Sequence, residues 1–375
     1  MSYRSTDGQE ALAPSDVLGS VHVGGLYNFT DDDYLNEGGG KLEEFGTGVA
    51  RIWDSNNQPQ TSYRFNMDWP EAFGSLVETY RDGHIQEFFN RSFNTIVITS
   101  YARSTPGIQD HYWREGVSDE QYHATVEEFE EATRYLLEAY DGAGETFVLQ
   151  NWEGDWAILD DVDQGPPEPT QRNVDGMIRW LSARQEGIER ARSAVDSDAS
   201  VLHAVSVNQV RSAMAGDRRV VNAVVPEIDP ELDMVAYSSW DVLVDAAETD
   251  DDEAAAAMIE ESLSYIHEHA PEPSPYVESV LTPDTRNVFV GEFGWDLVAD
   301  PELGMRLIRL MTETAMDWGA RWLLFWQLFS NEPSREYDGR PTNDGVKGFY
   351  LVKPDGRKSD AWHYFRELLE RNREF

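Results

Sequence analysis

Two glutamates carry the strongest chemical signal in the sequence. Glu292 lies in VFVGEFGW, at the end of a strongly apolar run, and Glu153 lies in QNWEGDW. A carboxylate at the end of an apolar strand is costly to bury unless it is partnered or used. Arg51, in VARIWD, is a candidate partner that would hold Glu292 ionised and ready as a nucleophile. The plainer reading is a structural salt bridge, because Asp and Glu make up 70 of the 375 residues and an acid at any one position says little. For Glu153 the plainer reading is a solvated loop acid, and Asp155, two residues on, is an alternative acid for the same role. Two carboxylates flanking a glycosidic bond can cleave it if one is kept neutral to protonate the leaving oxygen. A retaining pair needs about 5–5.5 Å between carboxyl groups and an inverting pair about 6.5–9.5 Å.

Positioning such a pair requires a scaffold, and the periodicity supplies one. Short apolar runs alternate with long amphipathic segments, which is the pattern of βα units on a parallel sheet. Eight runs read as strands, over 19–26, 47–53, 94–100, 146–151, 201–207, 233–238, 287–293 and 321–328. Helical patterns fill the gaps, notably 118–140, 170–195, 250–270, 301–320 and 359–372; the first gap, DDDYLNEGGGKLEEFG, is the weakest helix. The expectation is an α/β fold, a (β/α)8 TIM barrel forming one domain over 17–375, after a polar, disordered lead-in over 1–16. An open doubly wound sheet is the alternative, but HVGGLYNF after the first run has no GxGxxG turn.

In such a barrel the active site lies at the C-terminal ends of the strands. The residues expected there are Arg51 and Trp53 from strand two and Asn151, Glu153, Asp155 and Trp156 from strand four. Asn208 follows strand five and Trp240 follows strand six. Glu292 and Trp295 come from strand seven, and Trp326 from strand eight. Indole rings suit the apolar faces of sugars, while amides and carboxylates suit their hydroxyl edges. The expected partner is therefore a carbohydrate substrate, bound by Arg51, Trp53, Asn151, Trp156, Asn208, Trp240, Trp295 and Trp326.

Charge excludes other partners. The formal net charge is −40, and only four of the 30 basic residues are Lys. Self-repulsion of that size is tolerable mainly in strong salt, where the screening length shrinks to about 3 Å near 1 M. The composition looks like that of a halophilic, haloarchaeal-type protein, and it argues against nucleic acid or anionic membranes as partners. There is no cysteine, so no disulfide or thiol nucleophile exists. The histidines, including HEH at 267–269, form no evident metal motif, and no P-loop or GxSxG occurs, so neither metal nor cofactor is expected. No run of about 18 apolar residues predicts a membrane span. The start, MSYRSTDGQEALAPSD, lacks an apolar leader, which reads as cytoplasmic, or as secreted if a leader has been removed. Nothing in the pattern indicates an oligomeric state.

The strand-end residues resemble those of clan GH-A, the retaining (β/α)8-barrel glycoside hydrolases that include many cellulases, mannanases and β-galactosidases. QNWEGDW offers Asn151 and Glu153 for the clan's strand-four Asn-Glu pair, and VGEFGW offers Glu292 for its strand-seven nucleophile. Arg51 matches a strand-two Arg, and Trp326 in LLFWQL matches the strand-eight Trp that floors a sugar subsite. The tail GFYLVKPDGRKSDAWHYFREL is also similar. The resemblance implies double-displacement cleavage of a β-linked oligo- or polysaccharide, with Glu292 as nucleophile and Glu153 as acid/base; the alternatives are a non-catalytic carbohydrate-binding barrel and a different, metal-dependent barrel hydrolase. Two departures mark the chain as divergent. Trp152 separates Asn151 from Glu153, and one inserted residue requires a bulge if both are to face inward. At the strand-six position where the clan carries a Tyr, the match is Trp240, with Tyr237 an outside alternative.

Overall fold

A computed structural model of the chain describes residues 12–54, 59–66, 68–105, 111–159 and 168–371. Its strands are β1 (Leu18–Val21), β2 (Val49–Trp53), β3 (Thr95–Thr99), β4 (Thr146–Gln150), β5 (Ser200–Val207), β6 (Met234–Ser238), β7 (Val288–Phe293) and β8 (Leu323–Phe325). Each pairs in parallel with the next, and β1 pairs with β8, which closes the sheet into the expected barrel. Alternation divides the strand residues between two cores. Val49, Val97, Val148, Leu202, Phe289 and Leu324 fill the barrel interior, while Ala50, Ile52, Ile98, Phe147, Leu149 and Val290 face the helices. Both faces are buried, which is why the runs read as continuously apolar.

Two strands are shorter than expected. The first run continues to residue 26 and the last to 328, but regular pairing stops at Val21 and Phe325. Trp326, Leu328 and Tyr27 remain buried beyond those points. Apolar character reports burial, and here burial outlasts the ladder.

The helical layer begins with α1 (Tyr34–Phe45) and α2 (Gly83–Phe89) and continues with α3 (Asp119–Ala139) and α4 (Gln171–Ala194). It closes with α5 (Val210–Met214), α6 (Asp252–His269), α7 (Pro301–Trp318) and α8 (Asp360–Arg371). Side chains set the starts: Asp33 caps α1, Ser118 and Gln121 form a capping box on α3, and Asp251 accepts from two backbone N–H groups of α6. Two of the three glycines that weaken α1 as a sequence signal, Gly38 and Gly39, have a packing reason. A Cβ on Gly38 would lie 2.2 Å from the His22 ring, so the helix approaches β1 more closely than any side chain would permit.

The lead-in is shorter than 1–16. Pro14–Asp16 form a 3-10 turn docked on the barrel, where Asp16 O accepts from Arg321 Nη1 at 2.9 Å and Ser15 O accepts from Gly48 N at 2.8 Å. Residues 1–11 lie outside the described residues. No described helix is long and apolar enough to cross a membrane.

The pair α3 and α4 is packed at a glycine. A Cβ on Gly187 would lie 2.4 Å from the Val126 carbonyl oxygen and 2.9 Å from the Phe129 Cβ. Backbone cannot yield as a side-chain tip can, so Gly187→Ala is expected to lower stability by about 1–3 kcal/mol in urea unfolding. An unchanged midpoint would show that the two helices do not rest on each other there.

Candidate active site

Arg51 sits at an inward position of β2, completely buried. Its Nη1 lies 2.9 Å from Glu292 Oε1 and donates to Gly291 O at 2.8 Å. Nε and Nη2 reach Thr99 Oγ1 on β3 at 3.3 and 3.1 Å. Gln150, at the inward end of β4, presents its amide oxygen to Nε and Nη2 at 2.9 Å each in the orientation that satisfies both groups. The guanidinium is thus fixed by three strands and cannot rotate away from the carboxylate.

Glu292 reaches that partner because β7 is irregular. Phe289 belongs to the inner cluster and Val290 to the outer one, so Gly291 faces inward and Glu292 should face the helices. The register slips instead: Tyr237 pairs with Val290, but the next residue, Ser238, pairs with Glu292. The bulge turns Glu292 into the barrel and returns Phe293 to the outer cluster.

Strand four handles its inserted Trp differently. The β4–β5 register stays regular through Gln150–Ala204, and the extra residue falls in the turn that follows. Asn151 is fully buried and its amide oxygen accepts from Ser206 N at 3.2 Å, extending the ladder by one side-chain rung. Trp152 N donates to Tyr101 Oη at 2.7 Å. Glu153, with φ 19° and ψ 78°, opens the short helix Gly154–Ala157 and is itself buried. No bulge forms in β4, and Asn151 is withdrawn from the barrel mouth.

Asp155 is also engaged. Its Oδ2 accepts from Asn208 N at 2.9 Å and Gln209 N at 3.2 Å, and Oδ1 accepts from Val220 N at 2.7 Å. Asn208 Oδ1 accepts in return from Asp155 N at 3.1 Å. Asp155 and Asn208 therefore clamp the loop after β4 to the loop after β5. Their polar groups hold backbone, which speaks against Asp155 as an acid and against the Asn208 carbonyl as a sugar contact.

Glu153 and Glu292 feel each other and share two neighbours. Burial raises the Glu153 pKa well above the ordinary range, and the Glu292 charge raises it further, with Arg51 opposing. Burial also raises the Glu292 pKa, but Arg51, the Trp240 indole and the Ser238 hydroxyl all lower it. Trp240 Nε1 donates to Glu292 Oε2 at 3.3 Å and also faces Glu153. A buried pair that shares one field ionises one member first, and Glu292 is the member with the donors. Tyr237 points elsewhere, donating to Asp241 at 2.5 Å.

The aromatic residues divide. Trp53, Trp240 and Trp326 pack on the inner cluster around the mouth. Trp156 and Trp295 pack on the outer cluster with the helices, and Trp295 lies against Gly304 of α7. Two mouth residues escaped the sequence reading. Gln150 was legible as a lone polar residue at an inward position of an apolar strand. Phe349 packs on the inner cluster and meets Trp240 edge-on at 5.7 Å; it sits in a loop, where periodicity says nothing. Trp152, read at the end of strand four, lies 6.2 Å from the Trp53 ring. Among the described residues no group of three His, Asp or Glu is placed to hold a metal ion.

No family model and no curated protein matches the sequence. Solved structures do match in fold. A GH5_18 protein from Streptomyces cattleya in complex with GlcNAc aligns with a TM-score of 0.57 at 14% identity, over 96% of this chain and 81% of that one. A GH5_18 protein from Bifidobacterium longum aligns with a TM-score of 0.58 at 16% identity, over 96% and 80%. A GH5-4 broad specificity endoglucanase from Clostridium acetobutylicum gives 0.52 at 11% identity, over 96% and 99%.

If Asp155 is a clamp, its loss is a folding defect. Asp155→Ala leaves three buried N–H groups without acceptors and is expected to cost about 3 kcal/mol or more in chemical unfolding. A variant with wild-type stability and no turnover would instead return Asp155 to the list of candidate acids.

Proposed function

We propose that the chain is a retaining glycoside hydrolase acting on a β-linked oligo- or polysaccharide. The observation that carries the reading is the Glu292–Arg51 ion pair of 2.9 Å beside a second buried carboxyl, Glu153, whose pKa is pushed well up. Glu292, ionised against Arg51, attacks the anomeric carbon and forms a glycosyl-enzyme ester. Glu153 donates its proton to the departing glycosidic oxygen. Glu153 then takes a proton from water, whose oxygen attacks the anomeric carbon and releases Glu292. The net configuration is retained.

Trp53, Trp152, Trp240, Trp326 and Phe349 offer ring surface around the two carboxylates, suited to the C–H faces of pyranose rings. The similar folds support a β-linked substrate: variants of the GH5_18 proteins carry Manb1-4GlcNAc, and another match is a xyloglucan-specific endo-beta-1,4-glucanase. With a net charge of −40, turnover belongs in concentrated salt.

The test uses aryl β-glycosides and β-1,4-linked oligosaccharides in strong KCl. Glu292→Gln should show no turnover. Glu153→Gln should lose about 10²–10⁴ in kcat on poor leaving groups and far less on an activated aryl leaving group, which needs no proton. Proton NMR should show the β-anomer released first. Oligosaccharide binding by the wild type with no turnover of any substrate would sink the catalytic reading.

The pH behaviour follows from the two directions. Activity requires Glu292 ionised and Glu153 protonated, so it should fall on both sides of an optimum. Glu153 is favoured neutral by the fold, so it costs stability as pH rises from its unfolded pKa towards its higher folded one. Glu153→Gln should therefore raise Tm more at pH 7 than at pH 4. Trp240→Phe removes a donor to Glu292 and should move the acidic limb of the rate profile upward, with a loss of about 10–100-fold in kcat/KM. An unmoved limb would mean that the indole does not help ionise Glu292.

A further inference from the structure

Outside the mouth, the structure buries an arginine that no acceptor among the described residues satisfies. Arg184 on α4 is completely buried, and its Nε, Nη1 and Nη2 have no hydrogen-bond partner. Rings enclose it: the guanidinium carbon lies 4.7 Å from the centroid of Phe129, 5.2 Å from Trp180 and 5.9 Å from Tyr101. Ring faces stabilise a cation, but they do not accept its five in-plane N–H groups. Burial lowers its pKa only to about 10, so it stays charged at neutral pH.

The contrast with the other buried guanidinium groups sharpens this. Arg51 has Glu292, Arg103 has Asp54 at 3.1 Å, Arg192 has Asp233 at 2.8 Å, and Arg219 has Asp217 at 3.3 Å. Arg321 donates to the Val280 and Asp16 carbonyls. Among the described residues, no carboxylate pairs with Arg184. The carboxylate that acts on it, Asp54, is engaged by Arg103. One more buried donor, the Thr133 hydroxyl on α3, has no hydrogen-bond partner among the described residues. His203, packed beneath α4, is held neutral by burial and then by the Arg184 charge.

An uncompensated buried charge is costly, and a region of donors without acceptors is the complement of an anion. We infer that Arg184 is the centre of a buried binding site for a small monovalent anion of the halide class, enclosed between α3, α4 and the end of β3. The single positive charge balances a single negative one. Chloride is the halide to test first, given a surface that belongs in concentrated salt. The site adjoins the mouth through Tyr101, whose hydroxyl accepts from Trp152 N, so the anion also braces the turn that leads to Glu153.

The wild-type protein crystallised from KBr gives the direct test. An anomalous bromide peak within hydrogen-bond reach of the Arg184 guanidinium is expected. Density there that scatters as water, with no anomalous signal, would overturn the proposal. In solution, Tm should be higher in KCl than in potassium glutamate at the same ionic strength, and should rise by about 2 °C per tenfold increase in chloride. Arg184→Met should lose that difference while keeping the general dependence on ionic strength. Should that variant not fold, the crystallographic result on the wild type decides alone. A chloride preference retained in Arg184→Met would place the anion elsewhere and refute the assignment.

Discussion

A charge pair sealed inside the barrel, Arg51 with Glu292, is the constraint from which the rest of the site follows. Two ions taken out of water repel their surroundings unless every remaining valence is met. Here Thr99, Gln150 and the Gly291 carbonyl meet those of the guanidinium, and the Trp240 indole and Ser238 meet part of the carboxylate. Strands two, three, four, six and seven are thus committed to one interaction. The bulge in β7 exists in the same context: without it Glu292 would face α7 and the outer core, and Arg51 would be a buried cation without a partner.

The same economy of cations holds across the molecule. Buried arginines serve Glu292, Asp54, Asp233 and the carbonyls beneath the barrel, while others pair with acids at the surface, as Arg179 does with Asp119 and Arg357 with Asp355. Guanidinium suits this use because its charge persists on burial and its planar donors fix geometry. A cation is needed wherever a carboxylate is to be kept ionised within the core.

How much of this was legible depends on what periodicity can report. The barrel was legible because parallel strands buried on both faces leave uninterrupted apolar runs, and Glu292 was legible because it interrupts one. The pairing with Arg51 followed from a second charge in a second such run. Strand ends were overread at Leu26 and Leu328, since burial continues past the ladder. The glycine run in α1 read as weakness because its reason, the His22 ring, lies across the chain. Asn151 and Asn208 were read as sugar contacts from position alone. Which amides stitch loops and which face a ligand depends on backbone hydrogen bonds that no pattern records. Phe349 was hidden for a related reason: it reaches the mouth from a loop.

Glu153 shows what a single insertion demands. A residue held on a strand inherits its direction from the ladder, whereas Glu153 stands beyond β4 and must be aimed by other means. Three anchors do so. The Asn151 amide extends the β4–β5 ladder beneath it, the Tyr101 hydroxyl holds the Trp152 N–H behind it, and Asp155 fastens the chain ahead of it to three N–H groups. None of the three touches the Glu153 carboxyl, whose Oε1 is buried without a hydrogen-bond partner. The turn is fixed by its backbone, and burial beside the Glu292 carboxylate outweighs the Trp240 indole and the Arg51 charge in raising the Glu153 pKa. Across the inserted Trp, the anchors supply the direction that the strand no longer gives.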